Sequence, residues 1–179
     1  MSVNPSLQKI TLIGLFSALG VVLGFALAAV PNVELVSATI YIAGHLLGIQ
    51  GGILVGLLTE GIYSFLNPYG VAPFPIFISQ CISMMLIGFC GGINKKWITY
   101  RFIRDYIFTG INGFVLTLLF AIITTLGYMV SINASLQMAL SSLVTGLGMY
   151  AIHLLSNTLI FLLIVPVVTS RLSKLIKVQ

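Results

Sequence analysis

The chain has 179 residues, 59% of them hydrophobic and 6% charged, with 8 Lys or Arg against 3 Asp or Glu. A soluble domain carries about a quarter charged residues, so this composition excludes a water-soluble globule and marks an integral membrane protein. The net charge of +5 sits at the ends of apolar runs, where it reports orientation and not nucleic-acid binding.

A spanning helix needs about 20 apolar residues, so the chain has room for about six spans and little else. A membrane β-barrel would alternate apolar and polar residues in segments of about ten, whereas these runs are continuously apolar and about twice as long. The expected fold is therefore all-α, one transmembrane domain over residues 1–179 with six helices, at 10–30, 34–47, 53–66, 73–93, 106–128 and 138–170.

The first run follows Lys9 and lacks a small-residue cleavage site leading into a soluble domain, so it reads as a retained helix. Gly14 with Ala18 and Gly20 with Gly24 recur in it at four-residue spacing, which lets helix backbones approach closely in lipid. Gly44 with Gly48 and Gly88 with Gly92 repeat the pattern. The second and third segments, of about 14 residues each, are short for a bilayer and flank a turn at residues 48–52. Short, Gly-interrupted helices point to a transporter site, with tilted or re-entrant packing elements as the alternative. Cys81 and Cys90, nine residues apart in the fourth segment, have no partner at redox or metal-ligand spacing and read as inert thiols.

With six spans, Lys9, the cluster Lys95, Lys96, Arg101 and Arg104, and the cluster Arg171, Lys174 and Lys177 all fall on one side. The opposite loops, 31–33, 67–72 and 130–137, contain no Lys or Arg, so both termini are expected in the cytoplasm.

Ionisable residues inside a bilayer cost at least a few kcal/mol, roughly, which singles out Glu34, His45, Glu60 and His153. Glu34 also fits a helix start, where a carboxylate is favoured electrostatically. Glu60, roughly 10 Å below the outer end of its segment, needs a partner or a proton. Counting from a turn at 48–52 brings Tyr41 level with Glu60, so a hydrogen bond between them is expected in preference to a His45–Glu60 ion pair. Glu34, Ala38, Tyr41 and His45 fall on one helical face that should point into the bundle, with His45 read mainly as structural. Tyr150, His153 and Asn157 share a face of the last segment, and Thr117, Phe120, Thr124 and Tyr128 one of the fifth, while Gln80 is the polar point of the fourth. Together they outline an aromatic-rimmed pocket with donors and acceptors but no cation, suited to a small neutral or cationic molecule. Each could alternatively serve only to bond neighbouring helices. There is no phosphate loop, no G-x-S-x-G elbow and no H-E-x-x-H pair, so no ATPase or hydrolase activity is expected of this chain.

Four stretches carry a resemblance: Gly14-Leu-Phe-Ser-Ala18-Leu-Gly20, the run from Gly51 to Glu60, Asn67-Pro-Tyr-Gly-Val-Ala-Pro73, and Ser156-Asn157-Thr158 with Pro166. In these, and in its length and span count, the chain resembles the substrate-binding S components of energy-coupling factor (ECF) transporters. The resemblance implies a cell-membrane subunit, prokaryotic in type, that captures a vitamin or related micronutrient from outside. It would work with a membrane coupling (T) subunit and two cytoplasmic ATPases and need no cofactor. It places the pocket near the outer face, at Asn32, Asn67, Tyr69, Gln80, Tyr128, Tyr150, His153 and Asn157, with loops 31–33 and 67–72 ordering over the ligand. It also assigns the coupling contact to small residues of the first helix, here Gly14, Ala18, Gly20 and Gly24, although the usual Ala-x-x-x-Ala pattern is altered. Metal-uptake members use a histidine near the N-terminus, which Met1-Ser-Val-Asn lacks, so no metal site is expected. The absence of a basic pocket residue favours a pyridoxine-, thiamine- or riboflavin-like compound over a carboxylate, with a corrinoid as a further option. Two other readings remain: a stand-alone transporter in which Glu60 carries a proton, and a membrane enzyme or assembly subunit using His153 with Tyr150 as an acid-base pair.

Overall fold

The computed structural model describes residues 5–67 and 70–176. They form five helices, α1 (Pro5–Ala26), α2 (Val36–Phe65), α3 (Phe74–Asn94), α4 (Ile103–Ser131) and α5 (Leu136–Leu175), with no strand among the described residues. Each contains a stretch long and apolar enough to cross a membrane. Backbone polar groups have no water to bond in lipid, so continuous apolar sequence closes its hydrogen bonds within helices.

The count of five differs from the six expected. Where the sequence suggests two short helices around a five-residue turn, α2 is one helical run interrupted at Gly48 alone (φ 83°, ψ 178°). Glycine enters this left-handed region without a Cβ clash, so one residue redirects the chain and residues 49–52 join the following helix. The redirection is a reversal. A Cβ built on Gly52 would stand 2.6 Å from Gly44 Cα, whereas a straight helix separates such positions by about 12 Å. A Cβ on Gly24 of α1 would meet both Val36 (3.0 Å) and Tyr63 (2.8 Å), so the start of the first arm, 36–47, lies beside the end of the second, 49–65.

This compact turn corrects the expected Tyr41–Glu60 hydrogen bond. A one-residue turn aligns Glu60 with the start of the first arm and sets Tyr41 more than a helical turn deeper. Tyr41 Oη instead accepts from Asn94 Nδ2 of α3 (2.8 Å), and Asn94 also donates to Asn112 Oδ1 of α4 (3.2 Å). Glu60 Oε1 accepts from Ser64 Oγ of its own arm (2.8 Å). The first arm is buried at every position and not along one face, because α1, the second arm, α3 and α5 pack around it.

The hairpin of α2 meets α3 backbone to backbone. A Cβ on Gly44 or Gly52 would strike Gly88 O, one on Gly88 would strike Gly52 O, and one on Gly56 would strike Met84 O. Four-residue spacing of glycine thus does here what small residues do between helices in lipid. α4 and α5 run antiparallel, with Gly110 against Leu162 and Gly113 against Phe161. At one end of the bundle the close of the first arm, the α3–α4 connection and the close of α5 meet around His45, Lys95, Tyr100 and Ser173. His45 is buried there and packs on the Tyr100 ring (centroids 5.2 Å apart), in keeping with a structural role. Lys95 Nζ donates to Leu46 O (3.0 Å), neutralising the carbonyl end of the first arm. The candidate site lies at the other end. Cys81 and Cys90 are free thiols.

Candidate functional site

The α1–α2 connection, residues 27–35, crosses the end of the bundle opposite the basic cluster and covers a cavity of about 240 Å³. Its cover is Leu27, Ala28 and residues 30–34, and its walls are Gly24 of α1, Val36, Ser37, Glu60 and Tyr63 of the two α2 arms, Gln80 and Met84 of α3, Phe120 of α4 and His153 of α5. All five helices contribute, and Gly48 makes that possible by bringing positions 36–37 and 60–63 of α2 to one level.

The connection is fastened to α5 at two points. Asn32, held at φ 59°, donates from Nδ2 to Met149 Sδ (3.4 Å), and its carbonyl accepts from Ser156 Oγ (2.8 Å). Glu34 makes the second fastening. Its Oε2 accepts from Ser37 N–H (2.8 Å), satisfying an orphan donor of the first turn of α2, and its Oε1 accepts from Asn157 Nδ2 (2.8 Å). Asn157 Nδ2 also reaches Thr117 Oγ1 on α4 (3.1 Å) and His153 Nε2 (3.2 Å), and that nitrogen stands 3.9 Å from Glu34 Oε1. Burial alone would push the Glu34 carboxyl up, but hydrogen bonds from His153, Ser37 and Asn157 outweigh it and hold the group below its ordinary value of 4.5. Glu34 is therefore the ionised centre of a clasp joining the connection, α2, α4 and α5.

Among the described residues that line the cavity there is no Lys or Arg. The sequence makes this unavoidable, since none occurs between Lys9 and Lys95 or between Arg104 and Arg171. Gln80 Oε1 and Asn157 Oδ1 are buried acceptors without a hydrogen-bond partner among the described residues. The cavity is thus aromatic and apolar in much of its wall, with the Glu34 carboxylate, Glu60, Gln80 and His153 among its polar groups.

The residues expected from the sequence separate in space. Asn32, Gln80 and His153 line the cavity, and Asn157 stands behind them as a strut. Tyr150 and Tyr128 face a different cleft between α3, α4 and α5, where Tyr150 Oη and Thr125 Oγ1 lie 3.0 Å apart and Tyr128 is exposed. Asn67 lies in the turn after α2, where its carbonyl accepts from Gly70 N–H, and is not part of the cavity lining. Tyr69 lies outside the described residues. Of the four small residues assigned to a partner, Gly20 and Gly24 are turned inward, where a Cβ would stand 2.7 Å from Thr59 Cγ2 and 2.8 Å from Tyr63 Cε2. Gly14 and Ala18 lie on the open face of α1, with Leu15 and Val22 beside them.

Sequence reasoning missed Tyr63, Met84 and Ser37 as walls, while Phe120, placed on the pocket face of the fifth segment, does line the cavity. Tyr63 was signalled, since it follows Glu60 by three residues and so shares its face. Glu60 was expected beside Tyr41, and its place on the cavity wall depends on the one-residue turn.

Comparison with curated proteins and with solved structures gives no match. A family model described as the ECF transporter substrate-specific component matches residues 8–176. A match over nearly the whole chain, on a helical membrane protein with a covered cavity at one end, shows that the chain belongs to the substrate-specific components of ECF transporters.

Proposed function

We propose that this chain captures a small neutral or cationic, vitamin-like molecule from outside the cell and delivers it with an ATPase-driven partner module. The observation that carries this reading is the covered cavity, in which Glu34, Glu60, Gln80 and His153 come together without a Lys or Arg. In it, Asn32, Gln80 and His153 contact the ligand, Asn157 holds Glu34 and His153 in place, and Asn67, Tyr128 and Tyr150 form an outer approach. A volume of about 240 Å³ lies just under the usual ligand-pocket range of about 300–1,000 Å³ and suits a compact ring system better than a corrinoid.

Counting the two arms of α2 separately gives six crossings and both termini on the cytoplasmic side of the cell membrane. Lys9, the Lys95–Arg104 cluster and the basic end of α5 then share that side. Ligand exchange requires the 27–35 cover to lift, which means breaking the Asn32 and Glu34 fastenings to α5. The open face of α1 with Gly14 and Ala18 meets the membrane coupling subunit, and two cytoplasmic ATPases supply the energy, in a single-domain subunit that catalyses no reaction of its own.

The test is purification in mild detergent, native mass spectrometry for a copurifying small molecule, and calorimetric titration of vitamins. Vesicle uptake with and without the coupling and ATPase subunits completes it. Tight binding with ATP-dependent uptake only in the full complex supports the reading. Uptake by this chain alone under a pH gradient would replace it with a proton-coupled transporter using Glu60.

A further inference from the structure

We infer that the substrate is a compact nitrogen base carrying positive charge and N–H donors, held between the Glu60 carboxylate and the Gln80 carbonyl oxygen. The inference rests on the capture reading above and narrows it to one substrate class.

The two carboxylates of the cavity are in different situations. Both oxygens of Glu34 are engaged by Ser37 and Asn157, which stitch the cover to the bundle. Glu60 is 3% exposed, and among the described residues its hydrogen bond goes to Ser64, one turn along its own arm. That bond joins no two elements. Tyr41 with Asn94, and Asn157 with Thr117 and Glu34, do join elements. A carboxyl withdrawn from water must keep a proton or find a compensating partner, and the fold gains no cohesion from this one. Gln80 lines the same cavity, and its buried Oε1 has no hydrogen-bond partner among the described residues.

Gln80 Oε1 lacks a donor among the described residues, and Glu60 lacks a positive one. No Lys or Arg occurs between Lys9 and Lys95 or between Arg104 and Arg171 to supply it, and His153 is already committed to Asn157 beside Glu34. A protonated amine, an aminopyridine-like or an aminopyrimidine-like group would complete Glu60 and Gln80 together. Tyr63 and Phe120 line the same cavity, and an aromatic ring attracts a cation placed over its face. An anionic vitamin would meet the Glu34 carboxylate and oppose ionisation of Glu60, a neutral one would leave Glu60 to keep its own proton, and a cationic base supplies the charge that an ionised Glu60 requires.

The test is calorimetric titration of the purified chain with matched pairs, alongside native mass spectrometry of whatever it carries from its own membranes. Pyridoxamine against pyridoxine changes an amine for a hydroxyl on one ring, and thiamine against oxythiamine changes the ring amino donor for an oxo group. The charged or amino member should bind at least tenfold more tightly, and Glu60→Gln should collapse that ratio to near one. Glu34→Gln should weaken both members of a pair alike and preserve the ratio. Equal binding within a pair, a ratio that survives Glu60→Gln, or a copurifying neutral or anionic molecule overturns the inference. So does a folded chain that binds no member of either pair and carries no nitrogen base. The wild-type ratio decides the matter even if Glu60→Gln fails to fold. A neutral substrate taken up with ATP by the full complex would sink this inference and leave the capture reading standing. Uptake by the chain alone would sink the capture reading.

Discussion

The seam between α2 and α3 and the clasp over the cavity hold this protein together by opposite means. In the seam, glycines let backbones touch, and nearly every added atom would strike a main-chain oxygen. In the clasp, a connection without regular structure is tied to α5 by a few side-chain hydrogen bonds around Glu34, above acceptors left unmatched. Contacts that cannot give are a frame, while contacts that break one hydrogen bond at a time suit a part that must open. Rigid elements thus position the site, and a weaker cover regulates access to it.

The largest effect should come from placing a methyl group in the seam. Gly88→Ala directs its Cβ at the Gly52 carbonyl, and main chain on both sides leaves nothing flexible to move. Overpacking usually costs about 1–3 kcal/mol, and a backbone–backbone clash belongs at or above the top of that range. The expected result is loss of the monodisperse peak in detergent size exclusion, or a large fall in thermal midpoint. Gly14→Ala, whose Cβ meets nothing within 4 Å, should leave both unchanged. Equal behaviour of the two variants would break the distinction between frame and surface.

Asn157→Ala attacks the clasp and should act next most strongly. It removes the donor to Glu34 Oε1 and the tie to Thr117, at a cost of about 1–3 kcal/mol for the groups left unpaired. Ligand affinity should fall about tenfold, since 1.4 kcal/mol is a factor of ten, while the chain stays folded. Titration of the copurifying ligand together with a thermal melt separates the two. Unchanged affinity would mean that the cover does not govern the site.

Much of this was legible in the sequence, and the limits have physical causes. Uninterrupted apolar runs fixed the helices, because lipid leaves the backbone no alternative, and polar residues inside them marked Gln80, His153 and Asn157, while Asn32 in the 31–33 loop came from the family resemblance. The span 48–52 was legible as a break, but its width was not. Gly48, Gly51 and Gly52 all tolerate a left-handed backbone, and only tertiary packing decides that Gly48 alone adopts it. That choice slides one arm past the other, which is why Tyr41 meets Asn94 and Glu60 rises to the cavity. Tyr128 and Tyr150 share helical faces with true wall residues, yet α4 and α5 are long enough for one face to serve two cavities. Gly20 and Gly24 carry the small-residue spacing of a docking surface, but spacing does not reveal which partner a helix meets, and here it is the chain's own α2.

Tyr41→Phe sharpens the comparison from the frame side. It removes the hydroxyl that accepts from Asn94 and leaves Asn94 its bond to Asn112, so stability should fall by about 1 kcal/mol. Tyr41 does not line the cavity, so ligand affinity should hold. A tenfold loss of affinity in this variant would show that frame and site are coupled more tightly than their contacts indicate.

The smallest effect is that of acid on the clasp. Glu34 lies outside the helices, and its hydrogen bonds hold its carboxyl below 4.5, so the folded chain binds fewer protons there than the unfolded one. Its stabilising contribution is therefore complete above pH 4.5 and disappears as pH falls through the lower folded value. Melts and ligand titrations stepped from pH 7 downward should stay flat in this contribution until the pH passes below 4.5, after which the cover loosens and affinity drops. Glu34→Gln, which cannot ionise, should start from a lower plateau and lack that step. A variant that kept the same acid step would assign it to another carboxylate, leaving Asn32 and Ser156 to hold the cover without electrostatic help.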